Sequence, residues 1–237
     1  MTEPDEINGQ VPDPAALVRL MTWLSPAFPV GAYTYSHGLE WAIEDGTVAT
    51  ADDLEGWLRD VLIHGGGRND AILLVHAHQA LAADDESALR DAAEIAVALQ
   101  PSKERHLETT AQGNAFTQAV AAAWPNGRFE DAVASVGSPI AYPIAVAIAA
   151  AAHDVPAKLT VTAYLSAFVA NIVSAGIRAI PIGQTAGQRT IAALLPACEQ
   201  VAAEAIAADL DVLGGCALRA DIASMKHETQ YTRLFRS

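Results

Sequence analysis

The chain has 237 residues, of which 51% are hydrophobic and 18% charged, and its 14 Lys and Arg against 28 Asp and Glu give a formal charge of −14. This length and apolar content suit one globular domain with a full core and argue against global disorder. So negative a charge repels phosphate backbones and anionic lipids, which argues against nucleic acid or a membrane surface as partner and leaves solubility or a basic protein partner as its explanation.

The N-terminal residues 1–12 are acidic and polar and show no hydrophobic periodicity, so a flexible tail is predicted there. A secretion signal would be basic and then apolar, and its absence predicts a cytoplasmic protein. Asp13 followed by Pro14 is a helix-start signal. In the helix that follows, four large apolar residues recur at i, i+3, i+4 and i+7, which predicts one buried face: Leu17, Leu20, Met21 and Leu24.

The stretch SPAFPVGAYTYS breaks helical periodicity but is rich in apolar and aromatic side chains, which predicts an ordered loop. A short helix is predicted from Ser36, as its cap, to Gly46. Thr50 and Asp53 then form a capping pattern before the next amphipathic helix.

Gly65-Gly66-Gly67 is predicted to break the chain, and the remaining periodic segments predict helices near 70–83, 86–99, 103–123, 128–136, 142–153, 161–179, 184–208 and 215–227. The apolar run Ile140 to Ala152 contains Pro143 and is shorter than the roughly 17–25 residues of a membrane-spanning helix, so a buried helix is expected. Leu159 to Thr162 is the one candidate strand, although its threonines serve equally well as helix caps. The sequence therefore predicts an all-α, single-domain bundle of about ten helices.

Catalytic and metal motifs are scarce. Tyr33, Tyr35, Ser36, His37 and Glu40 could gather hydroxyls, an imidazole and a carboxylate at one loop, yet no nucleophile elbow, phosphate loop or HExxH accompanies them. His76 and His78 are two apart on a predicted helix and point away from each other, and the other histidines have no second donor at metal-binding spacing. Cys198 and Cys216 lack paired spacing, so both are expected to be small core residues.

Two segments of the sequence are candidates for contact with another protein. In SAGIRAIPIGQTAGQ, Arg178 ends an apolar helix, and Gln184 and Gln188 open the next. A guanidinium beside two amides can hold a carboxylate or main-chain carbonyls at an interface, but Arg178 could equally satisfy the last carbonyls of its own helix.

The C-terminal segment KHETQYTRLFRS is basic in an acidic chain. If it is helical, Tyr231, Leu234 and Phe235 form an apolar stripe beside Arg233 and Arg236. Such a segment either packs back on its own acidic body or folds onto a partner.

Three blocks carry a family resemblance: LSPAFPVGAYTYSHGLEWAIEDG from Leu24 to Gly46, SAGIRAIPIGQTAGQ from Ser174 to Gln188, and MKHETQYTRLFRS from Met225 to Ser237. In this order they resemble the urease accessory protein F (UreF) family, and the likeness runs from about Leu17 to the last residue. The resemblance implies a non-catalytic, all-helical homodimer that bridges the UreD/UreH scaffold and the GTPase UreG, modulates the GTPase, and is required for nickel insertion into apo-urease.

The resemblance also implies roles for individual segments. It divides the chain into the N-terminal tail 1–12, a helical body 13–224 and a partner-binding tail 225–237. The tail residues expected to engage UreD/UreH are Tyr231, Arg233, Leu234, Phe235, Arg236 and Ser237. The residues expected at the dimer or GTPase-facing surface are Tyr33, Tyr35, Ser36, Glu40, Arg178, Gln184 and Gln188. No metal or other cofactor is expected to bind tightly, because nickel would be handled by the complex.

Two alternatives remain open at the level of sequence. One is a metallochaperone that itself carries nickel, with a site shared across a dimer axis that single-chain spacing would not reveal. The other is a small helical enzyme built on the loop from Tyr33 to Glu40, which would need a pocket with perturbed titrating groups beside it.

Overall fold

The computed structural model describes residues 13–237, and the predicted N-terminal tail 1–12 lies outside the described residues. The described part of the chain contains eleven α-helices and two short 3₁₀ turns, Ala32–Thr34 and Leu210–Val212. The helices are α1 (Pro14–Trp23), α2 (Leu39–Glu44), α3 (Ala51–His64), α4 (Gly66–Ala82), α5 (Glu86–Ala98), α6 (Lys103–Ala123), α7 (Gly127–Val136), α8 (Tyr142–Ala152), α9 (Ala157–Ala179), α10 (Gln184–Ala207) and α11 (Leu218–His227).

The predicted all-α class is confirmed, since residues 13–237 contain no strand and the candidate strand Leu159 to Thr162 lies inside α9. That helix begins at Ala157, four residues earlier than predicted, because Pro156 supplies its N-cap position and Thr160 bonds the carbonyl of Pro156. The short helix after the loop begins at Leu39, three residues later than predicted. His37 and Gly38 both have positive φ, so the chain reverses before α2 can start.

Helix α8 forms the centre of the body. Pro143 to Ala152 are all buried, and α8 packs against α4, α6 and α9. Its many alanines let neighbouring helices approach closely, and Gly113 of α6 provides one such approach: a Cβ added at Gly113 would lie 2.1 Å from the carbonyl oxygen of Ile140. The apolar run predicted to be a buried helix is therefore the core of the molecule.

The predicted break at Gly65-Gly66-Gly67 is longer than the observed one, because only Gly65 separates the end of α3 at His64 from the start of α4 at Gly66. The glycines also allow neighbouring parts of the chain to pack closely. A Cβ at Gly65 would lie 2.8 Å from the Cβ of Ala217, and one at Gly67 would lie 2.9 Å from the Cα of Leu62. Only a residue without a side chain permits these approaches.

The predicted buried face of α1 is only partly correct. Leu20 is buried, but Leu17 and Met21 are 46% and 67% exposed. The helix packs through Ala16, Leu20 and Trp23, which lie at i, i+4 and i+7. Trp23 makes edge contacts with the rings of Phe116 and Trp124, and this aromatic cluster turns the helix away from the predicted face.

Two helices, α9 and α10, are long and apolar enough to span a membrane by length and composition alone, yet both contribute residues to the core. Cys198 of α10 is buried as expected. The expectation that Cys216 is also a core residue is wrong, because it is exposed in the segment before α11, where its N–H donates to the carbonyl of His64.

Candidate functional site

The C-terminal residues lie against the body of the same molecule. Helix α11 ends at His227, three residues beyond the predicted body boundary at 224, and residues 228–237 are not helical. The stripe expected from a helical tail is therefore wrong: Phe235 is 4% exposed, whereas Leu234 is 64% exposed and Tyr231 is fully exposed. We call residues 233–237 the strap.

Main-chain hydrogen bonds join the strap to the loop that precedes α2. The N–H of Arg236 donates to the carbonyl of Thr34 at 2.8 Å, and the N–H of Ser36 donates to the main-chain oxygen of Ser237 at 2.9 Å. The buried hydroxyl of Ser36 donates to the same oxygen of Ser237 and accepts from the N–H of Glu40 at 3.2 Å. The predicted cap is therefore wrong in position, because Gly38 is the N-cap of α2, but the Ser36 hydroxyl still accepts from the first turn of that helix and also holds the strap.

Three body carboxylates receive the other polar groups of the strap. Glu40 of α2 accepts from the main-chain N–H groups of Leu234 and Phe235, the second at 2.9 Å. Glu104 of α6 accepts from the Arg233 guanidinium at 2.8 Å. Glu108, one turn further along α6, accepts from the Ser237 hydroxyl at 2.6 Å. The strap is therefore held by hydrogen bonds to charged acceptors, the stronger class of hydrogen bond in proteins.

Two cations cover aromatic rings at this site. The Arg178 guanidinium lies 4.6 Å from the ring centroid of Phe235, and the Arg236 guanidinium lies 6.0 Å from that of Tyr35. The Nε of Arg178 also donates to the carbonyl of Ser174, one turn back on α9. Arg178 thus satisfies a carbonyl of its own helix, one of its two sequence interpretations, while it closes over the strap.

The remaining residues predicted for the dimer or GTPase-facing surface fall into two groups. Gln184 and Gln188 are exposed on the first turns of α10, and Tyr33 is 64% exposed. Among residues 13–237, no hydrogen bond joins Arg178 to either glutamine, so the expected guanidinium and amide cluster is not formed. Tyr35 and Ser36 are buried beneath the strap, where Glu40 is largely covered.

A buried polar group extends inward from the strap. Glu108 pairs with Arg105 and lies 3.5 Å from Nδ1 of His37. Burial lowers the pKa of His37 to about 4, with Arg105 adding to that effect, so the imidazole is neutral at pH 7. Burial alone would raise the pKa of Glu108, but Arg105 and His37 outweigh it and hold that pKa well below its usual range.

Asp70 of α4 lies in the same interior and accepts a hydrogen bond from the Tyr164 hydroxyl at 2.8 Å. Burial raises the pKa of Asp70 to about 6, and Arg105 opposes the rise. His37, Asp70 and Arg105 line two cavities of about 220 and 160 Å³. The interior of the body is therefore polar and partly hollow where α4, α6 and the loop before α2 meet.

Sequence reasoning missed the residues that hold this site: Asp70, Glu104, Arg105, Glu108 and His227. A signal was present in α6, whose first turns read KERHLETTAQ and show no apolar stripe. A helix that is polar on every face needs a polar environment, and here that environment is buried. Distance along the chain hid the partners, since 129 residues separate Glu108 from Ser237.

The polar groups of the site hold two segments of the chain together. The hydroxyl of Ser36 and the carboxylate of Glu40 both form hydrogen bonds with the strap. Within the described residues, no group of three or more His, Cys, Asp or Glu side chains is placed to hold one metal ion. Glu40 and Glu104 contact opposite ring nitrogens of His227, so these three cannot share an ion.

Exposed apolar side chains recur on α11, the helix that precedes the strap in the chain. Leu218, Ile222 and Met225 lie at i, i+4 and i+7 on α11 and are 49–65% exposed. We call these three, together with Tyr231 and Leu234, the C-terminal surface. Apolar side chains that recur on one face and remain exposed mark a place where another protein can bind.

The chain is similar to one protein family and to named members of it. Residues 48–195 match the family model described as UreF. The chain is 58% identical over 223 residues to "Urease accessory protein UreF" of Rhodopseudomonas palustris strain BisB18, covering 94% of this chain and 92% of that one. It is 53% identical over 218 residues to the protein of the same name from Methylobacterium sp. strain 4-46, covering 92% and 87% of the two chains. It is 52% identical over 225 residues to the one from Bradyrhizobium sp. strain BTAi1, covering 95% and 93%.

Proposed function

The chain belongs to the UreF family of urease accessory proteins, and from this premise we propose that it is a non-catalytic protein required for nickel insertion into apo-urease. In this proposal it acts in the cytoplasm as an adaptor that bridges the UreD/UreH scaffold and the GTPase UreG and modulates the GTPase. The family resemblance supplies these partners, and the geometry of the C-terminal residues suggests how one of them is bound.

The observation that carries the proposal is the combination of a docked strap with an exposed C-terminal surface. Phe235 and Ser237 are buried in the body, while Tyr231 and Leu234 project from it. A segment that is already held in one conformation loses less entropy on binding than a free tail does. We therefore assign the C-terminal surface to UreD/UreH, with Arg233 and Arg236 at its edge.

The charge distribution supports the same assignment. The chain carries a formal charge of −14, whereas the segment from Lys226 to Ser237 has three cations and the single acid Glu228. Acidic surfaces attract a basic partner over a distance, and a short apolar contact then gives specificity. In this proposal the acidic body attracts the partner at long range, and the C-terminal surface makes the specific contact.

A second face is proposed for the homodimer or the GTPase. Its exposed members are Tyr33, Gln184 and Gln188. The other residues assigned to this face, Tyr35, Ser36, Glu40 and Arg178, contact the strap. In this proposal they connect the two faces, so that a partner that moves the strap would also alter the second face.

Nickel is proposed to be handled by the complex rather than held by this chain. His76 and His78, for example, are held apart by contacts to different main-chain carbonyls, those of Ala208 and Val155, each through Nε2 at 2.8 Å. Titration of the purified protein with nickel tests this point. Weak binding is expected, and tight stoichiometric binding would favour a metallochaperone instead.

Co-purification with the urease accessory proteins tests the function. Deletion of Tyr231 to Ser237 should abolish capture of UreD/UreH while helicity, measured by circular dichroism, stays unchanged. Retained capture would contradict the proposal.

Arg178→Ala should weaken dimerisation or recruitment of UreG, and unchanged sedimentation together with unchanged recruitment would reject that role.

A further inference from the structure

The smaller of the two interior cavities, of about 160 Å³, is lined by residues of α9, of α6 and of the loop that joins α1 to α2. We call it the α9 pocket. Exposed residues such as Tyr33 and Ser174 line it together with buried ones such as Asp70, so it leads from the surface into the body. An engineered cavity of about 150 Å³ in another protein binds benzene. The α9 pocket is therefore large enough for a small organic group.

Apolar and aromatic side chains form most of the wall of the α9 pocket. Leu24 and Val30 contribute to it from the loop, and Phe168 contributes from α9. The rings of Tyr142 and Tyr164 also line it, with their centroids 5.6 Å apart. Apolar walls bind hydrocarbon, and aromatic rings attract cations as well. The wall therefore suits a ligand that combines a hydrocarbon chain with a positive charge.

The charged groups of the α9 pocket sum to a negative charge. Asp70, Arg105 and Glu108 line it beside His37, whose imidazole is neutral at pH 7. Arg105 pairs with Glu108, so Asp70 has no ion-pair partner within residues 13–237. Burial raises the pKa of Asp70 to about 6, which still leaves most of this carboxyl ionised at pH 7. An anionic ligand would be repelled by this charge, whereas a cationic ligand would neutralise it.

Asp70 also has free capacity for hydrogen bonds. In the part of the chain that the structure describes, the Tyr164 hydroxyl is the only donor to its side chain, and it bonds Oδ2. A carboxylate can accept several hydrogen bonds. A primary ammonium group offers three N–H donors and a compact positive charge on a flexible stem. A carboxylate that is buried at a cost in stability is the kind of group that binding sites contain.

We propose that the α9 pocket binds a primary alkylammonium group of the length of a lysine side chain, with its ammonium donating to Asp70 and its hydrocarbon chain against Val30 and Phe168. n-Butylammonium, which is slightly smaller than benzene, has this chemistry. A free amine and a lysine side chain of another protein both present the group, and the experiment below separates them. The site belongs to the isolated chain and does not depend on the proposed partners.

Nuclear magnetic resonance of the full chain, labelled with ¹⁵N and ¹³C and titrated with n-butylammonium chloride at pH 7 and constant ionic strength, tests the site. Saturable shifts are expected for main-chain N–H groups near Asp70 and Phe168, with nuclear Overhauser effects between butyl protons and the Phe168 ring. n-Butanol, which is neutral, and butyrate, which is negative, should bind at least about tenfold more weakly. Equal binding of n-butanol would overturn the proposal, because the pocket would then select only for apolar character.

A pair of variants tests the role of Asp70. Asp70→Asn removes the charge but keeps an acceptor for Tyr164, and it should weaken n-butylammonium binding by about tenfold or more. Asp221→Asn is the matched control, because Asp221 lines the larger cavity and not the α9 pocket, and it should bind like the wild type. Unchanged binding by Asp70→Asn, or an equal loss in both variants, would overturn the proposal.

Titration with Nα-acetyl-lysine amide separates the two sources of the ammonium group. Binding as tight as that of n-butylammonium means that the pocket admits a lysine side chain while the main chain stays outside, as a partner protein requires. Binding of n-butylammonium alone assigns the pocket to a free amine. Absence of saturable binding by both compounds would overturn the site and would leave the proposed adaptor function unaffected.

Discussion

The main-chain N–H of Ser36 donates to the main-chain oxygen of Ser237 at 2.9 Å, across 201 positions of the chain. The Ser36 hydroxyl donates to the same oxygen. This contact joins the loop before α2 to the strap, which are two of the three blocks that carry the family resemblance. The basic C-terminal segment therefore packs on its own acidic body, and Tyr231 and Leu234 remain exposed.

Glu40→Gln is expected to release the strap. One carboxylate oxygen becomes an amide NH₂ and faces main-chain N–H groups or His227, so at least one donor loses its acceptor. Loss of a hydrogen bond to a charged group costs about 1.5–3 kcal/mol. Trypsin should cleave after Arg233 faster than in the wild type, while circular dichroism stays the same. Glu44→Gln, at an exposed position of the same helix, is the control and should leave cleavage unchanged. Equal cleavage rates in both variants would show that Glu40 does not hold the strap.

Asp70→Asn is expected to stabilise the protein at pH 7. Burial raises the pKa of Asp70 from 3.8 to about 6, so the folded state holds the proton more tightly than the unfolded state. This contribution to stability is fully present below the unfolded pKa and is lost as pH rises through about 6. Asparagine can still accept from the Tyr164 hydroxyl and has no charge to bury.

The gain in the free energy of unfolding should reach up to about 3 kcal/mol at pH 7 and disappear near pH 4, as measured by urea denaturation at both values. Asp91→Asn, at an exposed position of α5, should show no such difference. A destabilised Asp70→Asn protein at pH 7 would mean that the carboxylate is needed as a charge beside Arg105.

Gly113→Ala is expected to destabilise the central helix pair. The added Cβ would lie 2.1 Å from the carbonyl oxygen of Ile140, and main chain cannot move aside as a flexible side chain can. Overpacking of this kind costs typically about 1–3 kcal/mol and more when a backbone must shift. Thermal unfolding should show a lower Tm. Gly127→Ala is the matched control in a helix with open space around the added Cβ, and it should be neutral or slightly stabilising. Equal Tm values for the two variants would contradict the close approach of α6 and α8.

The helices were predictable because their periodicity and caps are local. Thr50 with Asp53 forms the predicted capping box, and Asp13 accepts from the N–H of Ala15 at the start of α1. The glycines at 65–67 misled prediction because a glycine that breaks a helix and one that permits close packing look alike in sequence. The face of α1 was misplaced because Trp23, and not the leucine pattern, decides which side meets the body.

The sequence predicted the separate segments of the candidate site but not the hydrogen bonds that join them. Ser36, Glu40 and the C-terminal residues were recognised as separate blocks, but no local rule states that Glu40 accepts from Phe235 across 195 positions. The buried carboxylates Glu104 and Glu108 were passed over because polar residues on a helix are ordinarily solvated. Only the packed fold shows that the strap supplies their hydrogen-bond donors.

The most direct test of the proposed function is the affinity of the intact protein for the UreD/UreH scaffold, measured by titration calorimetry. Tyr231→Ala combined with Leu234→Ala removes two exposed apolar groups and should leave the strap docked through Phe235. Leu17→Ala combined with Met21→Ala removes two exposed apolar groups on α1, which are 46% and 67% exposed. We predict that the first double variant loses about 2 kcal/mol or more, roughly thirtyfold in Kd, and that the second binds like the wild type. An unchanged Kd for the Tyr231 and Leu234 double variant would contradict the assignment of the C-terminal surface to this partner.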